Sequence, residues 1–297
     1  MPVYELAALG AAVCWAVTGL IGAPASVHLG PFAFGLYRQT LVALILAVIV
    51  WMSGLWQDVT TAQVMTLALS GIVGIFAGDT MLYFTLNRLG PRRAGALFAL
   101  NAPMAAILGW ILLDEDLSLA GWAGVFLCAA GVSIAVLGRP GRSGSHRFEA
   151  VHGNVVVGIL FGLGSALGQA LGSLIARPVM QEGFDPVVGT LIRVFFAVLC
   201  LGCVMALPVA QVKPHGRMTP RIFLMVAGSG IVAMVIGMSL MLFSLQGGKV
   251  GIVSTLSALS PVFILPVLWI VIGARPSAAS WLGAAIAVAG MALIFLR

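Results

Sequence analysis

Apolar runs of about 20 residues follow one another along the whole chain, with the polar positions gathered mostly between the runs rather than inside them. As α-helices, runs of that length cross the ~30 Å hydrocarbon layer of a bilayer. The pattern predicts ten spanning helices at 4–26, 31–53, 62–87, 91–113, 118–138, 153–176, 186–208, 219–246, 249–272 and 277–296. The fold class expected is therefore an all-α integral membrane protein with no stretch left over for a soluble domain. Glycine and proline recur inside as well as between the runs, so the ends are soft. The first run is too long for the apolar part of a secretory signal and lacks a basic leader, so it reads as a retained helix. "GAPAS" at 22–26 only imitates a cleavage site.

The pattern repeats. "GIVGIFAGDTMLYFTLN" (71–87) aligns with "GIVAMVIGMSLMLFSLQ" (230–246) at an offset of 159 residues. Pro103 then matches Pro261, and Trp122, Gly124 and Gly131 match Trp281, Gly283 and Gly290. Upstream, Pro31 and Arg38 match Pro186 and Arg193, with a slip of a few residues such as loop insertions produce. The expected organisation is a first five-helix repeat at 1–138, a polar linker at 139–152 and a second repeat at 153–297. Five is an odd number, so the second repeat enters the membrane in the opposite sense. Inverted repeats around a central cavity are a recurrent design of secondary transporters, although duplication also builds static scaffolds.

Pro103 followed by "LLDEDLSLAGWAGVFLCAAGV" (112–132), with its weaker echo from Pro261 to Gly290, resembles the EamA-type repeat of the drug/metabolite transporter superfamily. The resemblance spans nearly the whole chain. It implies ten helices in a 5+5 inverted arrangement, with helices 5 and 10 peripheral and the others around a central cavity. It also implies a likeness to exporters of aromatic and other hydrophobic amino acids. One departure stands out: where an acidic counterpart of Glu115 is expected after the ninth helix, the chain reads "GARPS" at 273–277.

Composition agrees with the pattern, at 61% hydrophobic and 8% charged residues with a mean hydropathy of +1.13. The net charge of +6 does not point to nucleic acid, because apart from Arg38 and Arg193 the basic residues border the spans. They carry topology instead. Ten fall on odd-numbered connections (Arg88, Arg92, Arg93, Arg139, Arg142, Arg147, Lys213, Arg217, Arg221, Arg275) and three on even connections and the tail (Arg177, Lys249, Arg297). By the positive-inside rule the odd connections face the cytoplasm of a bacterial inner membrane and both termini face outside. Cys14, Cys128, Cys200 and Cys203 all lie in apolar spans and imply no disulfide. His28, His146, His152 and His215 build no metal-ligand spacing. No cofactor and no metal is expected.

Asp79 is the informative residue, a carboxylate in a stretch from Val64 to Leu86 otherwise free of charge. On a helix Gly71, Gly74 and Gly78 form one narrow stripe suited to close packing. Asp79, Tyr83 and Asn87 form a second stripe about 100° away, free to face a cavity. The repeat acts as a control: Gly71 and Gly78 persist as Gly230 and Gly237, whereas Asp79 and Tyr83 become Met238 and Leu242. Packing is shared and the acid is not, which favours a site role, with Arg38 as the candidate charge partner. Arg38 and Arg193 show the reverse pattern, and their recurrence favours a shared structural role, snorkelling or bonding carbonyls, over capture of a substrate carboxylate.

Other cavity candidates are Trp15 and Thr18 on helix 1, Gln169 and Ser173 in the corresponding part of helix 6, Asn101 on helix 4, and Ser254 and Ser257 on helix 9. Pro103, Pro261 and Pro266 each free a carbonyl four residues earlier, at Ala99, Ser257 and Val262, and those groups need partners in lipid. A packed tryptophan and locally bonded hydroxyls are the competing readings.

No H-E-x-x-H, no G-x-S-x-G and no intramembrane acidic cluster speaks for an embedded enzyme. A channel would need charged rings or a repeated filter loop, and a phosphate-binding G-x-x-x-x-G-K-[ST] loop is missing. The reading is a secondary transporter that exports small metabolites, most concretely hydrophobic or aromatic amino acids. It works as a monomer in the lipid bilayer on a small-molecule substrate, with no nucleic-acid partner. The alternatives are an embedded enzyme or a transporter of nucleosides, sugars or drugs.

Overall fold

The computed structural model describes residues 3–57, 59–137, 154–208, 212–263 and 277–295. The linker at 139–152, Pro266, the "GARPS" stretch before Ser277 and the Asn87 side chain therefore lie outside the described residues.

The described chain is all-helical. It runs α1 (Val3–Leu29), α2 (Pro31–Ser53), α3 (Thr61–Gly71), a π-helical turn π1 (Ile72–Asp79), α4 (Thr80–Phe98), α5 (Asn101–Leu113) and α6 (Leu119–Leu137). The second half runs α7 (Val155–Gln181), α8 (Pro186–Ala206), α9 (Pro220–Gly230), π2 (Ile231–Met238), α10 (Ser239–Gly247), α11 (Val250–Ser257) and α12 (Ala278–Phe295). Among the described residues eight helices are long and apolar enough to cross a membrane, while α1 and the stretch Val250–Phe263 occupy the places of the first and ninth expected spans.

Local chemistry explains the helix starts. Thr60 accepts from the Gln63 amide at 3.3 Å while Gln63 Oε1 accepts from the Thr60 amide at 3.0 Å, a reciprocal capping box. The Asp185 carboxylate accepts from the Val187 and Val188 amides at 2.8 and 3.0 Å ahead of Pro186. Proline opens α2, α8 and α9, where its missing N–H would have had no partner.

Two boundaries differ from those the sequence suggests. Helix continues through 87–91, and the break comes at 99–100 instead. Pro103 provides the reason: it has no N–H for the Ala99 carbonyl, which accepts instead from the Ala102 amide at 3.3 Å, one residue short of an α-helical bond. The second half breaks at 258–259, ahead of Pro261, the same place in the repeat. The sixth helix, expected to end at 176, runs on to Gln181 and so takes Arg177 into the bundle.

The halves pack against each other through equivalent positions. A Cβ on Gly71 would press into the Arg193 backbone, and one on Gly230 would lie 3.2 Å from Arg38 Cγ. Helices α6 and α12 run antiparallel, with Gly124 on Gly290 and Ile294 at one end and Gly131 on Gly283 and Ala287 at the other. Small residues let these backbones approach closely, which is how helices associate where lipid removes the hydrophobic driving force. π1 and π2 likewise occupy matching places, offset by 159 residues.

Candidate functional site

At the end of π1, the shared architecture carries an unshared group. Widened π turns interrupt the regular helical ladder and recur at functional positions, and here both halves have one. In the second half the final π residue is Met238; in the first it is Asp79. The Asp79 carboxylate accepts from Gln169 Nε2 at 2.9 Å and faces Arg38 Nη2 at 3.7 Å. Arg38 Nη2 also donates to the Tyr83 hydroxyl at 3.0 Å, and its guanidinium lies 5.1 Å from the Phe34 ring centroid. Phe34 and Tyr83 meet edge to face at 6.2 Å. Thus α2, π1, α4 and α7 each give one side chain to a single polar cluster inside the bundle.

The supports of this cluster are also two-fold related. Gln169 Nε2 donates a second bond to the Gly74 carbonyl at 3.1 Å, while Trp15 Nε1 donates to the Ala233 carbonyl at 3.0 Å. Gly74 and Ala233 are equivalent positions in π1 and π2, and Gln169 and Trp15 are equivalent on α7 and α1. In each half one side chain crosses the seam to a π-segment carbonyl. Only Gln169, crossing from the second half to π1, also reaches a carboxylate.

A narrow crevice opens beside the cluster, lined by Asp79, Tyr83, Thr80, Gln39 and Phe84 among others. The remaining candidates lie elsewhere. Thr18 Oγ1 donates to the Trp15 carbonyl at 3.1 Å, Ser173 Oγ to the Gln169 carbonyl at 3.0 Å, Asn101 Nδ2 to the Phe98 carbonyl at 2.9 Å and Ser257 Oγ to the Ser254 carbonyl at 3.1 Å. Three of those bonds stay within one turn of their own helix and the Asn101 bond spans the break between α4 and α5; none of the four residues lines the crevice. Ser254 is buried on α11.

Arg38 and Arg193 do not snorkel. They are 9% and 1% exposed, because the small residues opposite them let the helices close over their stems. Arg193 Nη1 points to Met238 Sδ at 3.4 Å, in the counterpart of the place where Arg38 meets Asp79.

A second buried ion pair escaped the sequence reading. Arg177 Nε lies 2.9 Å from Glu115 Oε1, Glu115 Oε2 accepts from the Val250 amide at 2.6 Å, and Arg177 Nη1 donates to the Leu245 carbonyl. Lys249 Nζ donates to the Asp116 carbonyl in the same corner. Arg177 sits one residue past the expected end of its helix and so counted as a boundary charge, and no sequence pattern links it to Glu115, 62 residues away.

The chain matches the model of the EamA-like transporter family over residues 3–137 and again over 156–296. It belongs to that family. The EamA-like chain is a multi-pass membrane transporter. It is also 34% identical over 98 residues, 32% of its own length and 70% of the relative's, to an "Uncharacterized transporter in cobO 3'region" from Sinorhizobium sp.. A solved crystal structure superposes on it with a TM-score of 0.80, covering 99% of this chain and 96% of the other at 20% identity, a likeness of fold alone.

Proposed function

We propose that this EamA-like protein is a secondary transporter that exports small metabolites, hydrophobic or aromatic amino acids most concretely, by alternating access. The observation that carries the proposal is the combination of a two-fold-related packing seam with a polar cluster, Arg38, Asp79, Tyr83 and Gln169, present on one side of it only. Two halves built alike can exchange conformations about such a seam, and an asymmetric charge within it gives the exchange something to carry or to sense.

In this reading the ten spans form two inverted five-helix repeats about the centre, with α6 and α12 paired outside it. Tyr83, Phe34 and Trp15 supply aromatic surface, and Asp79 takes either the substrate ammonium or a proton during the cycle. The odd connections lie in the cytoplasm and the termini outside, consistent with the division of ten basic residues against three.

The test is counterflow in proteoliposomes of the full chain against a panel of amino acids, nucleosides and sugars. Saturable exchange of phenylalanine or tryptophan supports the proposal. Exchange confined to nucleosides or sugars replaces its substrate class, and unsaturable flux replaces alternating access with a pore.

A further inference from the structure

The buried centre does not balance its charge. Arg38 and Arg193 bring two guanidinium groups, and both lie within electrostatic range of one carboxylate, Asp79. Among the described residues the other six acidic side chains fall at helix ends or in connections. One positive charge is thus left over in a region where an unpaired charge is costly.

The hydrogen-bond inventory shows the same imbalance from the donor side. Among the described residues the Nε–H groups of Arg38 and Arg193 are both buried without an acceptor, and the directed contact of Arg193 is to a thioether sulfur, a weak one. Beside them Gln39, 1% exposed and lining the crevice next to Asp79, has an Oε1 without a donor among the described residues. Buried polar groups almost always have partners, so three orphans around one seam describe a complementary ligand. Acceptor-less guanidinium edges call for a flat pair of anionic oxygens; a carboxylate fits that fork with two parallel bonds. An acceptor without a donor, beside a carboxylate, calls for a cationic N–H.

We propose that the centre is a receptor for the carboxylate of the substrate, held by Arg193 and Arg38, with the ammonium of the same molecule turned toward Asp79 and Gln39. The proposal rests on the reading of this centre as the transport site and adds to it the group that is recognised. Recurrence of the arginines in both halves then has a purpose: opening the seam to either side leaves one guanidinium on each moving half in reach of the anion.

The test uses the purified full chain and three matched probes: phenylalanine, 3-phenylpropionate, which keeps only the carboxylate, and phenethylamine, which keeps only the ammonium. Ligand-dependent thermal stabilisation and competition with labelled phenylalanine are both read. The expected result is binding of 3-phenylpropionate but not of phenethylamine, with a loss of about tenfold or more in Arg193→Gln and partial recovery in Arg193→Lys. Phenethylamine binding as well as or better than 3-phenylpropionate overturns the carboxylate assignment and leaves the transport reading standing. Arg193-dependent binding of 3-phenylpropionate without any phenylalanine counterflow does the opposite. If Arg193→Gln does not fold, the comparison of the two probes on the wild-type chain decides alone, and absence of binding by either carboxylate overturns the proposal.

Discussion

Cys128 Sγ donates to the carbonyl oxygen of Ala287 at 3.3 Å, and the two residues, 159 positions apart, hold the same place in their repeats. A contact between equivalent positions marks the point where the two halves meet themselves. Around it Gly131 packs on the Gly283 carbonyl, so that a Cβ on Gly131 would lie 2.7 Å from that oxygen, with the Ala287 backbone closer still. Backbone cannot move aside as a side-chain tip can. Gly131→Val is expected to destabilise the protein by roughly 1–3 kcal/mol through overpacking, seen as a lower melting temperature in detergent. A Gly202→Val control, where a Cβ meets nothing within 4 Å, is expected to leave the melting temperature unchanged.

The Glu115–Arg177 pair joins the connection after α5, the end of α7 and the start of α11 on one face of the bundle. Removing one partner strands the other charge, an effect of about 3–5 kcal/mol for buried pairs. Glu115→Gln and Arg177→Met are each expected to lower thermal stability sharply, and the double variant to cost less than the sum of the two. Additive losses in a double-mutant cycle would show that the pair is not a coupled unit.

The legible part of this molecule was its repetition. The match of Gly71 to Gly230 and of Arg38 to Arg193 anticipated which backbones pack across the seam, because close packing in lipid leaves glycine in the sequence. The break before Pro103 was legible as chemistry but not as position, since the Ala99 carbonyl found a neighbour at Ala102 rather than a distant side chain. The site was half legible. Asp79 stood out as a charge in an apolar run, yet its bond to Gln169 depends on how α7 crosses π1. No pattern within a single helix carries that crossing. Ser173, Ser257 and Asn101 donate to carbonyls three or four residues back, the local bonding open to any hydroxyl or amide in a helical stretch.

Tyr83 separates two contributions within the cluster. Tyr83→Phe keeps the ring against Phe34 but removes the hydroxyl that accepts from Arg38 at 3.0 Å. Tyr83→Ala removes both. Aromatic contacts contribute about 0.5–1.5 kcal/mol beyond burial, so Tyr83→Ala is expected to weaken apparent affinity for tryptophan or phenylalanine several-fold more than Tyr83→Phe does. Affinities that match in the two variants would take the ring out of the substrate site.

Orientation in the membrane is open to direct chemistry. Single cysteines at Ser143 and Ser277, on the fifth and ninth connections, are expected to resist an impermeant thiol reagent in intact cells, while one placed after Arg297 reacts. The native cysteines are first replaced, since Cys203 is exposed. Labelling at 143 and 277 with a silent tail would invert the assignment and assign the basic connections to the outside.

Asp79→Asn tests what the carboxylate does without disturbing what holds it. Asparagine keeps the shape and an oxygen to accept from Gln169 Nε2, so the 2.9 Å bond survives while the charge facing Arg38 at 3.7 Å disappears. Titration disappears with it. A carboxylate coupled to protons must exchange its proton with one side in one state and with the other side in the other, and only net transport needs that step. Substrate counterflow, in which the loaded carrier simply shuttles, does not. If Asp79 carries the proton, Asp79→Asn retains counterflow and its net export no longer responds to pH. If Asp79 binds the ammonium, counterflow and net export fall together, and 3-phenylpropionate, which lacks the ammonium, loses nothing. Normal export, normal counterflow and a normal pH response in Asp79→Asn would leave the residue as a locally bonded polar group at the end of a π turn.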